Sequence, residues 1–183
     1  MAFNINEIRS QLVLGGARSA LFQVRINNPA NGAGDLKAPF MIKASALPAS
    51  TLGTVEVPYF GTKFKVAGNR IFNPWNVTVI NDEDFLIRNS MEEWMSSINS
   101  HQGNLREFGA ASPSEYKTDA TVTQFSKTGA AIREYKFVGI FPTDVTEISV
   151  NWEQIDEIQQ FDVSFQYDYW TVSGITGNAG TDA

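Results

Sequence analysis

The feature that most constrains the fold is a two-residue alternation near the end of the chain, in FDVSFQYDYW at residues 161–170. Aromatic and aliphatic residues occupy every second position, and polar or acidic residues lie between them. Successive side chains of a β-strand point to opposite faces of a sheet. The stretch therefore predicts a strand with an aromatic face in a core and an acidic, polar face outside it. The predicted core side is Phe161, Val163, Phe165, Tyr167 and Tyr169.

The same period recurs in short segments rich in Val, Ile, Phe and Thr, separated by Gly, Pro and Asn. One pair of segments predicts a hairpin that turns at Gly61, in which Pro58 indicates an edge strand or a bulge. We predict a mainly β fold, a two-sheet β-sandwich or barrel of about nine strands. Besides 161–170, strands are expected at the start of the chain and at 21–26, 40–46, 54–60, 63–68, 75–81, 119–126, 132–141 and 145–150.

One segment, residues 81–100, follows a helical period instead. Its apolar residues recur at the spacing of one helix face, which predicts a long α-helix packed across an open face of the sheets. Asn81 is the expected N-cap, and the acidic residues 82–84 suit the positive end of the helix dipole, so they require no metal ion. The predicted buried stripe is Ile87, Met91, Trp94, Met95 and Ile98.

Three stretches predict irregular structure. Residues 27–37 are expected to form the tip of a long hairpin, and residues 101–117 a long connection of functional interest because of its length. The Gly-rich stretch 171–183 is an expected tail. We therefore predict an N-terminal arm over residues 1–19, a single β domain over residues 20–170, and this tail.

The charge is unevenly distributed along the chain. Residues 137–183 carry eight acidic residues and no Lys or Arg, whereas residues 1–136 carry 12 acidic and 14 basic residues, for a net charge of −6. An acidic segment argues against tight binding of nucleic-acid phosphates, which requires Lys and Arg. Acidic termini also favour solubility in their own right.

The residues give little support for catalysis. The absence of cysteine excludes disulfides and thiolate chemistry, and a single histidine, His101, excludes sites built from two histidines. Glu153, Asp156 and Glu157 form a carboxylate cluster, but adjacent surface acids are common outside glycosidases. There is no Gly-rich phosphate motif, secretory signal or long apolar run. We expect a cytoplasmically folded protein that is not an enzyme, needs no cofactor or metal and crosses no membrane.

Four stretches, in order along the chain, carry a family resemblance: KASALPAS (43–50), VPYFGTKFKVAGNRIF (57–72), WNVTVINDEDFLIRNSMEEW (75–94) and EIQQFDVSFQYDYW (157–170). Together they resemble the tail tube proteins of T-even-like contractile-tailed bacteriophages, a family related to the type VI secretion tube protein. The resemblance covers about residues 20–170. The sequence departs from it in the loop 27–37, at the N-terminus and after Trp170.

The resemblance implies a structural protein with a two-sheet β-sandwich and one helix. Six copies would close into a ring whose inner strands form a barrel, and rings would stack into the inner tube of a contractile tail through which DNA is ejected. The implied partners are further copies of the chain, the tail sheath, baseplate and tail terminator proteins, a tape-measure protein in the lumen, and double-stranded DNA in transit. The implied location is the virion, after assembly in the host cytoplasm.

Residue roles follow from this interpretation. A neutral or acidic lumen wall would let DNA pass without binding its phosphates. From their shared strand face alone, we expect the polar side of the 161–170 strand to line the lumen, with the exterior of the tube as the alternative: Asp162, Ser164, Gln166 and Asp168. Contacts between subunits or rings are expected in the hairpin and in the long connection, at Tyr59, Phe60, Lys63, Lys65, Glu107 and Phe108.

Two alternatives remain open from the residues. One is the tube of a related machine, either type VI secretion or an extracellular contractile particle, in which the lumen carries proteins rather than DNA. The other is a sugar-binding β-sandwich that uses exposed tryptophans such as Trp152 or Trp170, because sugars stack on aromatic faces.

Overall fold

The computed structural model describes residues 5–12, 16–153 and 155–174, with the side chain of Phe108 outside that description. In these ranges the chain forms nine strands and four helices. The strands are β1 (Phe22–Ile26), β2 (Ile42–Ser45), β3 (Thr51–Tyr59), β4 (Thr62–Ile71), β5 (Trp75–Ile80), β6 (Thr118–Phe125), β7 (Ala131–Val145), β8 (Gln160–Gln166) and β9 (Tyr169–Gly174). The helices are α1 (Ile5–Gln11), α2 (Ala38–Met41), α3 (Leu86–Ile98) and α4 (Pro113–Tyr116), with 3₁₀ turns at Gly32–Gly34 and Phe108–Ala110. None of the described helices is long and apolar enough to cross a membrane.

Two antiparallel sheets share strand β7. Sheet I has the order β1–β6–β7–β9, and sheet II has the order β7–β8–β5–β2. Strands β3 and β4 form a separate two-stranded hairpin. This arrangement confirms the predicted mainly β fold of nine strands with one long helix.

Strand β7 serves both sheets because it bends at Gly139. Its residues up to Ile140 pair with β6 and β9, and residues 141–145 pair with β8. Gly139 has φ +68°, a conformation that favours glycine. On the facing side, the chain passes from β8 to β9 at Tyr167 and Asp168, and the Asp168 N–H donates to the Val138 carbonyl at 3.0 Å. The two sheets therefore meet at one coordinated bend.

The core lies between the inner faces of the two sheets. Trp75 of sheet II stacks on Phe137 of sheet I with ring centroids 4.4 Å apart. The predicted aromatic side of the 161–170 stretch is buried from Phe161 to Tyr167, and each fully buried side chain of this size contributes about 1.5–3 kcal/mol of transfer free energy. Tyr169 is 41% exposed, contrary to prediction, because it begins β9 in the other sheet.

Helix α3 packs on this core as predicted, with Ile87, Met91 and Trp94 buried. The Trp94 indole N–H donates to the Tyr116 carbonyl at 2.8 Å. The predicted cap was wrong, because Asn81 is buried and both its backbone and side-chain amides donate to Gln159. The helix instead begins at Leu86.

The start of α3 is stabilised by a residue other than the one predicted. Phe85 precedes the helix in the left-handed conformation at φ +51°. The Asp84 carboxylate accepts a hydrogen bond from the Leu86 N–H at 3.0 Å. Asp84 therefore acts at the N-terminus of the helix, as its charge indicated.

Four other sequence predictions require correction or restriction. The expected opening strand is wrong for residues 5–11, which form α1, and the strand expected at 145–150 ends at Val145. The segment 27–37 is not a hairpin tip, because the strands on either side of it, β1 and β2, lie in different sheets. It packs against α3 instead, and the Asn28 side-chain amide donates to the Ser90 carbonyl at 2.7 Å. Residues 171–174 of the expected tail belong to β9, and residues 175–183 lie outside the described part of the chain.

Candidate functional site

The β3–β4 hairpin presents an exposed apolar face. Cross-strand pairing places Val55 opposite Val66 and Val57 opposite Phe64, and all four side chains are exposed together with Tyr59. An isolated two-stranded hairpin is marginally stable in water, and monomers rarely expose contiguous apolar surface. The hairpin therefore has the properties of a surface that binds another molecule.

The hairpin tip carries a residue that local conformation disfavours. Phe60 and Gly61 connect β3 to β4 with φ +42° and +83°, as in a type I′ turn, where Asn-Gly is the preferred pair. The predicted turn at Gly61 is confirmed. Phe60 is 92% exposed and packs edge-on against Tyr59, with ring centroids 4.6 Å apart. An aromatic residue held in this conformation and in solvent indicates a role beyond folding.

The opposite face of the hairpin is charged. Lys63 Nζ lies 2.9 Å from Glu56 Oε2, and Lys65 lies directly across from Glu56 in the strand register. The hairpin's irregularity lies between Leu52 and Thr54 rather than at Pro58, so Pro58 marks an edge strand and not a bulge. Both lysines predicted as contact residues are thus exposed on the face of the hairpin opposite the apolar one.

A second exposed apolar surface lies in the 146–159 loop, which connects β7 to β8. Val150, Trp152, Ile155 and Ile158 are exposed, and Trp152 is fully so. Their spacing fits neither a strand nor a helix, which is why periodicity did not identify this surface. The signal that was present is the concentration of apolar residues among the acidic residues Glu147, Glu153, Asp156 and Glu157.

The two arms of the 146–159 loop form a groove of about 390 Å³. One arm contributes residues 148–152, including Trp152, and the other contributes residues 157–160, including Ile158. The loop therefore combines exposed apolar side chains, negative charge and a concave surface.

Three of the four residues predicted to line a lumen lie together. Asp162, Ser164 and Gln166 alternate with the buried residues of β8, on the outer face of sheet II. Asp162 accepts a hydrogen bond from the Thr78 hydroxyl at 2.6 Å, and the Ser164 hydroxyl donates to Asn76 Oδ1 at 2.9 Å. This face is a polar surface whose side chains are held in place by strand β5.

Asp168 does not share this face, contrary to prediction. It lies beyond the end of β8, in the bend before β9, and binds Lys117. The period-two pattern continues through the sequence at this point, but the chain changes sheets there, so the side-chain directions no longer follow that pattern.

The long connection 101–117 packs beside helix α3. The Glu107 N–H donates to the Ser97 carbonyl at 3.0 Å, and Glu107 is exposed. Helix α4 begins with a capping box between Ser112 and Glu115. The backbone of Phe108 belongs to a 3₁₀ turn, whereas its side chain lies outside the described part. Glu107 thus remains available as a contact residue.

The described residues give no arrangement for catalysis. His101 is exposed, and no group of three or more His, Asp or Glu side chains in the described ranges could hold a metal ion. Asp82 and Asp84 each bind Lys37 Nζ at 2.5 Å, and hydrogen bonds from this lysine lower the pKa of both carboxyls. The acidic residues before α3 are therefore partners of a lysine.

The two tryptophans considered for sugar binding lie apart. Trp152 belongs to the loop beside sheet II, whereas Trp170 lies in β9 of sheet I, partly buried with its ring centroid 6.0 Å from that of Tyr135. They do not form a shared stacking platform.

The sequence model of a family described as phage tail tube protein matches residues 8–173. The tail tube protein gp19 of Enterobacteria phage T4 is 37% identical over 155 residues, which cover 84% of this chain and 90% of that protein.

Two solved structures share the fold at low identity. A chain of the PVC extracellular contractile injection system, from its sheath-tube complex in the extended state, has a TM-score of 0.60 and 16% identity, covering 95% of this chain and 100% of that chain. A chain of the anti-feeding prophage cap, which terminates a tube, has a TM-score of 0.61 and 19% identity, covering 87% of this chain and 92% of that chain.

Proposed function

The chain belongs to the phage tail tube protein family, and on that premise we propose that it assembles into stacked hexameric rings that form the inner tube of a contractile tail. As expected for a tail tube protein, it is structural and not an enzyme. The observation that carries the assembly proposal is the exposed apolar face of the β3–β4 hairpin, because monomers rarely expose contiguous apolar surface and such surfaces mark binding sites.

Ring closure accounts for the edges of the two sheets. Among the described strands, β1 and β9 end sheet I, and β2 ends sheet II opposite the C-terminal part of β7. Unpaired strand edges favour pairing with other chains, and a closed ring satisfies them in a defined way. The sheet edges support lateral association of copies into rings, with the inner strands forming a continuous barrel.

The outer face of sheet II lines the lumen in this proposal, through Asp162, Ser164 and Gln166, with Asp168 at its border. Double-stranded DNA carries one negative charge per about 1.7 Å of axis, so a basic wall would bind it along its length. A polar wall with weak negative charge repels DNA only within about 8 Å at physiological ionic strength. DNA would pass such a wall without being retained.

The opposite, outer side of the tube contacts the sheath, and its two ends contact the baseplate and tail terminator proteins. The support is that proteins of the same fold occur in a sheath-tube complex and in a tube-terminating cap. A tape-measure protein occupies the lumen before DNA does. Assembly takes place in the host cytoplasm, and the mature location is the virion.

Negative-stain electron microscopy of the purified full chain tests this function. Rings or hollow filaments with six-fold symmetry are the expected result. A monomer at every concentration, and no tube containing this chain in tail particles, would overturn it. Replacing Tyr59 and Phe60 together by serine should reduce polymerisation while the monomer stays folded, and unchanged filament yield would contradict the role of the hairpin.

The tube of a protein-injecting contractile particle remains the second candidate. The observation that favours it is the shared fold with the PVC tube-complex chain. The nucleic-acid content of isolated particles separates the two candidates, because only a tail carries DNA through the tube.

A further inference from the structure

The outer face of sheet II carries few groups that could bind an anion. Among the described strands of this sheet, the hydroxyl groups on that face belong to Thr78, Thr143 and Ser164, and the one ammonium group belongs to Lys43. Hydroxyl and ammonium groups donate hydrogen bonds, and such donors bind the phosphate oxygens of DNA. Whether this face would bind DNA therefore depends on what these four groups already bind within the chain.

Two of the hydroxyl groups donate across the β5–β8 strand pair. Thr78 lies directly opposite Asp162, and its hydroxyl donates to Asp162 Oδ1 at 2.6 Å. Ser164 lies directly opposite Asn76, and its hydroxyl donates to Asn76 Oδ1 at 2.9 Å. Cross-strand pairs of this kind stabilise a sheet. Both hydroxyl groups are therefore directed along the face of the sheet rather than away from it.

The other two groups also donate within sheet II. Lys43 lies at the irregularity of β2, and its ammonium group reaches over β5 to donate to Gln160 Oε1 of β8 at 3.0 Å. The Thr143 hydroxyl donates to the Ser164 carbonyl at 3.1 Å. All four groups thus have an acceptor in their own sheet.

These hydrogen bonds matter because a DNA phosphate is an anionic acceptor. Hydrogen bonds to ionised acceptors are stronger than those between neutral groups, so a hydroxyl or ammonium group without a partner in the chain would bind DNA. A tube repeats each group in every copy, and many weak contacts made together give strong retention. Negative charge on the wall does not prevent this by itself, because salt screens the repulsion.

We propose that Asn76, Asp162 and Gln160 are positioning residues of the lumen wall. By accepting these hydrogen bonds, they keep the hydroxyl and ammonium groups of the wall away from the phosphates of double-stranded DNA. The inference rests on the proposed function and deepens it. It means that low retention of DNA depends on the arrangement of the donors as well as on the charge of the wall.

Gln160→Ala tests the lysine, because it removes the acceptor of the Lys43 ammonium group at an exposed position. Tubes of the full chain are assembled with a short fluorescent double-stranded DNA and sedimented, and the retained DNA is measured over a range of salt concentrations. The affinity for DNA should rise by roughly tenfold, because the contact is repeated along the tube. It should also fall more steeply with salt, because an ammonium group that binds phosphate releases counterions. Adding Lys43→Met to Gln160→Ala should return retention to the level of the unmodified tube.

Asn76→Ala tests a neutral donor in the same assay, because it removes the acceptor of the Ser164 hydroxyl. Retention should rise without a steeper salt dependence, since a hydroxyl group carries no charge. Adding Ser164→Ala should reverse the rise, and Asn76→Asp, which keeps an acceptor oxygen, should behave like the unmodified chain.

Gln23→Ala is the matched control on the outer face of sheet I. Gln23 Oε1 accepts a hydrogen bond from the Arg25 guanidinium at 3.4 Å, so this substitution frees a cation away from the proposed lumen. It should leave retention unchanged, and a rise equal to that of Gln160→Ala would overturn the inference.

Two further results would also overturn the inference. One is unchanged retention by assembled tubes of either Gln160→Ala or Asn76→Ala, and the other is a rise that persists after Lys43→Met is added to Gln160→Ala. Both results leave the proposed function standing, because the tubes have formed. Absence of tubes from the unmodified chain overturns the inference and the proposed function together.

Discussion

Lys117 Nζ lies 2.7 Å and 2.9 Å from the two carboxylate oxygens of Asp168, at the bend where the chain leaves sheet II for sheet I. The Asp168 backbone N–H donates to the carbonyl of Val138, and its carboxylate lies against Gly139, the bend residue of β7. Lys117 therefore holds the Asp168 side chain at the junction and neutralises its charge within the chain. The negative charge proposed for the lumen wall comes mainly from Asp162.

Gly139→Ala, in the bend of β7, should destabilise the fold more than a glycine substitution in an exposed turn. A Cβ at Gly139 would overlap the Asp168 carboxylate, and φ +68° alone costs a non-glycine residue about 1–2 kcal/mol. Gly129→Ala is the matched control, because Gly129 has φ +81° with open space around it. Urea unfolding should give a larger loss of free energy for Gly139→Ala than for Gly129→Ala; equal losses would contradict the contact.

Phe60→Asn should separate assembly from stability. Asn-Gly is the preferred pair for a type I′ turn, so the free energy of unfolding should stay equal or rise. Tube formation, measured by light scattering and microscopy, should fall because the aromatic tip is lost. Phe60→Tyr keeps the ring and should assemble normally. A less stable Phe60→Asn monomer would contradict the turn assignment.

Trp152→Ala should impair assembly without affecting the monomer. Trp152 is fully exposed, and surface substitutions change stability by within about 0.5 kcal/mol. Trp94→Ala removes a side chain that is 0% exposed and should cost about 3–5 kcal/mol. Calorimetry of the monomers and sedimentation of the assemblies measure both quantities. Full assembly of Trp152→Ala would argue against the loop as a contact surface.

Lys37→Met should raise the pKa values of Asp82 and Asp84 toward the ordinary value of 3.8, because the hydrogen bonds from Lys37 are what lower them. A carboxyl pKa lowered by folding stabilises the protein above the unfolded pKa, and this contribution is lost as pH falls through the folded pKa. In Lys37→Met, the part of the pH dependence of the unfolding free energy that these two carboxyls cause below about pH 4 should therefore be lost. Carboxyl NMR titration measures the shift, and Lys43→Met is the control.

Ser164→Cys should be protected inside assembled tubes. On the proposed lumen wall, the thiol should react with a small maleimide but not with a maleimide attached to a large polymer. Thr121→Cys lies on β6 of sheet I, at comparable burial, and should react with both reagents. The reverse pattern would place sheet I, rather than sheet II, around the lumen.

Most elements could be predicted from the sequence because their signals are local. The alternation from Phe161 to Tyr167 and the apolar stripe containing Trp94 each depend only on the geometry of a single strand or helix. The turn at Gly61 likewise depends on two residues. The errors arose where neighbours along the chain do not decide the outcome, as at Asn81, whose amides bind the distant Gln159.

The sequence by itself determined the buried side of β8 and of α3, since periodicity shows which side of a strand or helix is apolar. The tertiary structure decided which strands pair, because pairing depends on contacts between residues far apart in the chain. Only the register of β5 with β8 places the hairpin and the 146–159 loop at opposite ends of one sheet. Likewise, only the passage of the chain from β8 in sheet II to β9 in sheet I separates Asp168 from Asp162, since residues on either side of that bend no longer share one continuous face.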